Sequence, residues 1–98
     1  MHNYELALVI SAKLDDETRA KVVEKATGYI TRYNGTIGET PEAEKRRLAY
    51  EINYNREGYY YFIPFEADPT APAEIERHIR IMDKNNVLRY LIVRTDEQ

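Results

Sequence analysis

The chain has 98 residues, with 14 lysines and arginines against 17 acidic residues, and therefore a formal net charge of −3 at pH 7. That length fits a single domain over residues 1–98, and a hydrophobic share of 43% is enough for a buried core and argues against wholesale disorder. The absence of cysteine excludes disulfides, thiolate zinc sites and cysteine nucleophiles.

The first predicted element is a strand over residues 4–11. Both of its faces are largely apolar, as in a strand from the interior of a sheet. Its apolar run from Leu6 to Ile10 is far shorter than the ~20 residues that a membrane-spanning helix needs. No lysine or arginine precedes the run, unlike in a signal peptide. We therefore expect a soluble, cytoplasmic protein with no membrane partner.

A helix is predicted next, from the acidic residues 15–17 to Asn34-Gly35. Acidic side chains stabilise the first turn of a helix because they offset its unpaired N–H groups and the positive end of its dipole. Asn and Gly both tolerate the left-handed conformation that often follows the last turn. Apolar side chains recur at spacings of three and four and form one stripe: Ala20, Val23, Ala26, Ile30 and Tyr33.

The middle of the chain predicts a hairpin. Residues 36–44 are polar and weakly patterned, and are expected to form a loop. Residues 48–53 alternate between apolar and polar side chains, as a strand does. Residues 55–58 contain a glycine and polar side chains typical of a turn, and the aromatic run 59–63 predicts the next strand.

A second amphipathic helix follows the proline-rich segment 68–72, because proline is tolerated in a first helical turn. Its apolar stripe is Ile75, His78, Ile79 and Met82. Asn85-Asn86 is expected to end this helix, and residues 87–93 predict a final strand.

The order β-α-β-β-α-β predicts an α+β fold, the ferredoxin-like split β-α-β sandwich, in which a four-stranded antiparallel sheet carries two helices on one face. The first and third strands should be central and the second and fourth should be edges. Alternation places Tyr60 and Phe62 on the sheet face away from the helices. The expected core under the helices consists of Leu6, Leu8, Ile30, Ile63, Phe65, Ile75, Ile79 and Ile92.

Catalytic chemistry has few candidate residues, so we expect no enzyme, no metal site and no cofactor. His2 lies at the terminus, and His78 lies on an apolar helix stripe where a packed histidine is expected. The acidic residues 15–17 are explained by the start of a helix. Residues 11–14 contain no glycine, unlike the anion-binding loop of small acyl-phosphate hydrolases with this fold.

Residues 56–62 have the basic-glycine-aromatic composition of the third strand of an RNA-recognition motif, whose exposed rings stack bases. However, Glu57 replaces the usual basic residue before the glycine, and Tyr60 fills a position that is normally small. The outward positions of the first strand offer no aromatic ring. Aromatic residues that suit a pleated strand are therefore the preferred interpretation.

The one concentration of basic residues is Lys45-Arg46-Arg47, which enters a predicted edge strand and precedes Tyr50. An acidic chain cannot bind nucleic acid through bulk charge alone, so a local patch would have to supply the phosphate contacts. This segment suits that function, while a solvated loop without a ligand is the alternative.

The chain resembles the bacterial small-subunit ribosomal protein S6 family over essentially its whole length. The Arg-Arg-Leu-Ala-Tyr run, at this distance from the N-terminus, is quite specific in so short a chain. The matching segments are Tyr4-Glu5, Arg46-Arg47-Leu48-Ala49-Tyr50 with Ile52, Gly58-Tyr59, and Ile79-Arg80-Ile81 with Asp83 and residues 87–93. The chain departs from the family at Glu51, where proline is usual, and at residues 84–86, which lengthen a turn.

The resemblance implies a non-catalytic structural protein of the bacterial-type small ribosomal subunit. It also implies contact with the central domain of small-subunit ribosomal RNA and a heterodimer with the small basic ribosomal protein S18, so the isolated chain should be a monomer. The RNA-contact residues that it implies are Arg46, Arg47, the adjoining Lys45, Arg80 and Arg89. We expect the protein partner to contact Tyr50, Tyr60 and Phe62.

A function of another class remains open. A ferredoxin-like domain can dimerise through its sheet, either as a ligand-sensing module or as a small dimeric enzyme. Gel filtration separates the two hypotheses, because this alternative predicts a stable homodimer.

Overall fold

Two helices pack on one face of an antiparallel sheet in the computed structural model, which describes residues 1–95. The predicted ferredoxin-like arrangement is confirmed, with one additional short strand. The elements in chain order are β1 (His2–Ser11), α1 (Asp16–Arg32), β2 (Thr36–Ile37), β3 (Glu44–Ile52), β4 (Asn55–Ala67), α2 (Ala71–Arg80) and β5 (Val87–Arg94).

The sheet is built around β1 and β4, which are central as predicted. β1 pairs with β4 on one side and with β5 on the other, so that β5 forms one edge. The opposite edge of β4 pairs with both β2 and β3, one after the other along its length. The sheet therefore has five strands instead of the predicted four. The residues of β2 were expected to form a loop, because a strand of two residues is too short to show alternation.

The core lies between the helices and the even-numbered side chains of β1. Leu6, Leu8 and Ile10 are fully buried and pack with buried side chains of both helices. The predicted core is confirmed except at Ile92 in the edge strand β5, which is only partly buried. The odd-numbered side chains of β1 point to the opposite side, which we call the outer face of the sheet.

The buried stripe of α1 is Val22, Ala26 and Ile30. The predicted stripe was wrong in its first two turns, because Ala20 is exposed and Val23 is only partly buried. The sequence offers two overlapping stripes at this point, and packing against the sheet decides which one faces inward.

Both ends of α1 form where predicted. Asp15 caps the N-terminus by accepting a 2.8 Å hydrogen bond from the backbone N–H of Thr18, and its hydrogen bonds with Thr18 lower the pKa of its carboxyl below the ordinary value. After the last turn, Asn34 takes the left-handed conformation with φ 64°. Gly35 does not, but a Cβ there would lie 2.6 Å from Cγ2 of Ile30, so glycine is required for close approach.

The hairpin turn between β3 and β4 consists of Asn53 and Tyr54, which have φ values of 48° and 64°. Ile52 and Asn55 pair directly across it, as in a tight two-residue turn. The predicted turn at 55–58 was therefore wrong, since those residues begin β4. Asn53 suits a left-handed turn position, but a left-handed tyrosine is uncommon, so Asn53-Tyr54 is a weaker turn signal than residues 55–58.

The predicted end of the second helix was also wrong, because α2 ends at Arg80, before Asn85-Asn86. Asp83 organises a separate turn in between. Its carboxylate accepts a 2.9 Å hydrogen bond from the N–H of Asn85, and its carbonyl accepts one of 3.0 Å from the N–H of Asn86. Side-chain competition for backbone groups of this kind favours turns over helix.

β3 contains a bulge. Arg47 pairs with Glu57, but the next pair joins Ile52 to Asn55, so residues 48–51 of β3 have too few partners on β4. Extra residues on one strand of an antiparallel pair bend that strand and break its regular pairing.

Leu48, the first residue of the bulge, lies on the outer face, on the same side of β3 as Arg46. Leu48 and Val9 are both buried there, outside the main core under the helices. Gly58 lies between them, and a Cβ at that position would lie 2.7 Å from Cγ1 of Val9 and 3.6 Å from Cδ2 of Leu48. The absence of a side chain at Gly58 therefore allows this small second cluster to close.

Replacing Ile79 by alanine tests the core. Ile79 is 1% exposed, and Ile79→Ala should lower the free energy of unfolding by about 2–5 kcal/mol in urea denaturation, because it leaves a cavity. Ile81→Ala is the matched control, since Ile81 is 76% exposed and should change stability by no more than about 0.5 kcal/mol. Equal effects of the two substitutions would contradict the placement of α2.

Replacing Gly58 by alanine tests the second cluster. Gly58→Ala should destabilise the protein by about 1–3 kcal/mol, because the added methyl group is forced against Val9. The cost should fall when Val9→Ala is combined with it, as a double-mutant cycle in urea would measure. Gly28→Ala is the control, because a Cβ at Gly28 in α1 has nothing within 4 Å and should be stabilising. Simple additivity of the Val9 and Gly58 substitutions would count against the contact.

Candidate nucleic-acid interface

The pleat of β3 divides the basic segment 45–47 between the two faces of the sheet. These residues pair with residues 57–59 of β4, and successive side chains of a strand point to opposite faces. The helix side is marked by Tyr59, whose ring centroid lies 3.8 Å from the guanidinium carbon of Arg19 in α1. Arg46 is therefore on the outer face, whereas its two neighbours are on the helix side.

On the outer face, Arg46 lies beside an aromatic pair. Its guanidinium carbon is 5.1 Å from the ring centroid of Tyr60, and it forms an ion pair with Glu44. The ring of Phe62 stacks 6.5 Å from that of Tyr60. Both rings are half-buried and lie on the face away from the helices, so their predicted placement is confirmed.

Arg89 lies on the same face, on the other side of the aromatic pair. Its guanidinium carbon is 4.9 Å from the ring centroid of Tyr50, which the β3 bulge holds 61% exposed. Cation–π contacts of this kind orient an arginine while leaving its N–H groups available to other ligands. Two residues predicted to contact RNA, Arg46 and Arg89, thus share a surface with the three residues predicted to contact a protein.

A shallow depression of about 470 Å³ lies between these groups. Its lining is mostly apolar or aromatic, with an arginine at each side: Ala7, Val9, Tyr60, Phe62, Tyr90 and Leu91 with Arg46 and Arg89. Leu91 remains 57% exposed. An exposed apolar patch with charged borders is typical of an interaction surface.

Arg80 does not join this surface. It is exposed at the C-terminal end of α2, on the helix side of the sheet. The structure instead places two basic residues that the sequence analysis missed, Lys13 and Arg56, beside Lys45 and Arg47. They come from two other segments of the chain, so no local sequence pattern could have grouped them.

The histidine of α2 has the structural role that the sequence analysis expected. Nε2 of His78 lies 2.8 Å from the hydroxyl oxygen of Tyr33, and its ring stacks 4.8 Å from that of Tyr29. Among residues 1–95, no group of three or more acidic, histidine or cysteine side chains could hold a metal ion. No helix in that range is long and apolar enough to cross a membrane.

Comparison of the fold with solved structures finds a ribosomal protein among the matches. The crystal structure of 30S ribosomal protein S6 from Thermotoga maritima superposes with a TM-score of 0.87 at 27% identity, covering 97% of this chain and 88% of that one. The C-terminal domain of the MgtC protein from Mycobacterium tuberculosis, at 5% identity and a TM-score of 0.60, shares the fold alone.

Sequence comparison agrees with the structural match. The small ribosomal subunit protein bS6 of Moorella thermoacetica is 41% identical over 98 residues, covering 100% of this chain and 98% of its own. The bS6 of Halalkalibacterium halodurans is 40% identical over 97 residues, or 99% of this chain and all of its own. The sequence model of the family described as ribosomal protein S6 matches residues 3–94. The resemblance carried by the Arg46–Tyr50 motif is thereby confirmed, and the chain belongs to the ribosomal protein S6 family.

Proposed function

We propose that the protein binds small-subunit ribosomal RNA through its arginines while the outer face of its sheet holds the small basic ribosomal protein S18. As a member of the ribosomal protein S6 family, it is a structural, non-enzymatic protein of the small ribosomal subunit and hence of the cytoplasm. The proposal therefore concerns which surface meets the RNA and which meets a protein.

The observation that carries the proposal is the position of Arg46 and Arg89 at the two sides of the outer-face depression. Each guanidinium lies against a tyrosine ring, which holds it near the sheet surface. Arginine binds phosphate oxygens through a planar set of donors, and such contacts fix the orientation of a protein on RNA. A protein seated in the depression would leave these two groups at its border, within reach of an RNA strand.

Charge supports a composite surface. The chain has a formal net charge of −3, so it repels RNA at long range and gains from a basic partner. The partner would cover Tyr60 and Phe62, while Tyr50 would lie where protein and RNA meet. The exposed Lys45, Arg47 and Arg80 lie on the helix side and would contact RNA strands that pass outside the heterodimer.

The homodimer hypothesis uses the same depression, because an apolar face could pair with a second copy of itself. Sedimentation of the isolated chain decides between them. We expect a monomer at micromolar concentration, and a stable dimer would favour the alternative.

Removing both outer-face arginines tests the RNA contact. Arg46→Ala with Arg89→Ala should reduce the log–log salt slope for binding of the heterodimer to a central-domain RNA fragment by about 1.4–1.8, because two phosphate contacts are lost. The control is Arg32→Ala with Arg77→Ala, which removes the same charge from exposed positions on the helices and should leave the slope unchanged. An unaltered slope in the first variant would show that these arginines do not contact phosphate.

Replacing the aromatic pair tests the protein contact. Tyr60→Ser with Phe62→Ser should weaken binding of S18 at least tenfold in calorimetry, because buried aromatic residues dominate interface energies. Circular dichroism should show the fold retained. Tyr54→Ser is the control, since Tyr54 is 82% exposed at the hairpin tip, away from the depression. Normal binding by the double variant would make the patch an ordinary surface.

A further inference from the structure

Lys45 and Arg47 line a hollow on the helix side of the sheet, with a volume of about 370 Å³. Its charged and polar lining comes from three parts of the chain: Lys13, Lys45, Arg47, Asn55, Arg56 and Glu57. Four of these side chains are cationic and one is a carboxylate, which gives a formal charge of +3. Positive charge is thus concentrated in this hollow although the whole chain has a formal net charge of −3.

A buried polar network fixes the backbone beside two of these cations, Lys13 and Arg56. The hydroxyl of Ser11 donates a 2.6 Å hydrogen bond to Oδ1 of Asn55, and both residues are buried. The backbone N–H of Lys13 donates a 3.1 Å hydrogen bond to the same hydroxyl oxygen. The Nδ2 group of Asn55 donates in turn to the carbonyls of Ile52 and Asn53. The segment after β1 is thereby tied to the start of β4, which carries Arg56.

The cations of the hollow are weakly neutralised. Lys45 lies 3.7 Å from Glu57, and Arg56 lies 3.8 Å from Glu51. Both distances exceed the 2.7–2.9 Å of a strong charge-assisted hydrogen bond, and exposed pairs of this kind contribute little. Among residues 1–95, Lys13 and Arg47 take part in no ion pair.

Arg19 provides a contrast on the same side of the sheet. It contacts the ring of Tyr59, hydrogen-bonds the hydroxyl of Tyr61 at 3.0 Å and pairs with Asp16 at 3.0 Å. Burial disfavours its charge, but the hydrogen bonds to Tyr61 and Asp16 still raise the pKa of Arg19 above its ordinary value. Its donors are occupied within the protein, whereas those of the hollow are open to an external anion.

We propose that this hollow is a second phosphate-binding site, which accepts a backbone phosphate of RNA through Lys13, Lys45, Arg47 and Arg56. The site deepens the proposed function and rests on it, because it joins Lys13 and Arg56 to Lys45 and Arg47 in one phosphate site, separate from Arg46 and Arg89. Glu57 partly offsets the positive charge, so a free phosphate ion binds weakly. A phosphate that other contacts already hold in place binds without that entropic cost.

The test uses the two cations that no motif singled out. Lys13→Ala with Arg56→Ala should reduce the salt slope of the heterodimer–RNA complex by about 1.4–1.8, as expected for two lost phosphate contacts. The reduction should add to that of the Arg46 and Arg89 variant, since the two depressions share no lining residue. Lys25→Ala with Arg32→Ala, on exposed positions of α1, is the control with the same charge change. Thermal denaturation should show each variant folded.

A second measurement separates RNA phosphate from free phosphate. Inorganic phosphate is titrated into the isolated full chain, and the backbone amide signals of residues 12–13 and 55–57 are followed by NMR. Small shifts that reach saturation only at millimolar phosphate support the proposal, provided that the Lys13 and Arg56 variant also lowers the salt slope for RNA binding. Shifts without a change of slope would assign the hollow to a free anion and overturn the RNA site.

The outcomes also distinguish the two proposals. If the Arg46 and Arg89 variant lowers the slope and the Lys13 and Arg56 variant does not, the second site is refuted while the proposed function stands. If the wild-type heterodimer fails to bind the RNA, the proposed function is refuted, and phosphate shifts at the hollow would then assign it to free phosphate alone.

Discussion

The pairing of β1 with β4 is the constraint on which the rest of the structure depends. It runs without a break from His2 opposite Ala67 to Ser11 opposite Gly58. Because side chains alternate along both strands, this one register decides which residues face the helices and which face outward. A slip by one residue would exchange the buried Leu6 and Leu8 for Ala7 and Val9. The core and the outer face are thus two results of the same set of hydrogen bonds.

Much of the fold could be predicted because its strongest patterns are local. The acidic start of α1, the apolar alternation of β1 and the helical spacing of Ile75 and Ile79 each lie within a few residues of one another. The predictions were wrong where contacts between distant parts of the chain determine the local structure. The left-handed Tyr54 places the hairpin turn, and packing against the sheet determines that Val22 and not Val23 is buried. Neither choice is visible in local periodicity.

In the candidate site, too, local patterns were predicted correctly and long-range contacts were not. Alternation alone placed Tyr60 and Phe62 on the outer face, and the Arg46–Tyr50 motif identified the family. Arg46 faces outward whereas Lys45 and Arg47 face the helices, and this could be determined only from the register between β3 and β4. Because the hairpin turn was predicted at the wrong residues, that register was not available from the sequence. Lys13 and Arg56 could not be grouped from the sequence, because only the folded sheet brings these segments together.

The bulge in β3 has a consequence for the free protein. Edge strands offer unpaired N–H and C=O groups to other chains, and long, regular edges promote aggregation. At this edge, residues 48–51 interrupt regular pairing, with the charge of Glu51 inside the interruption and that of Arg47 next to it. Bulges of this kind make an edge strand a poorer template for pairing with a second copy. The same bulge that exposes Tyr50 therefore also works against fibril-like stacking of the free protein.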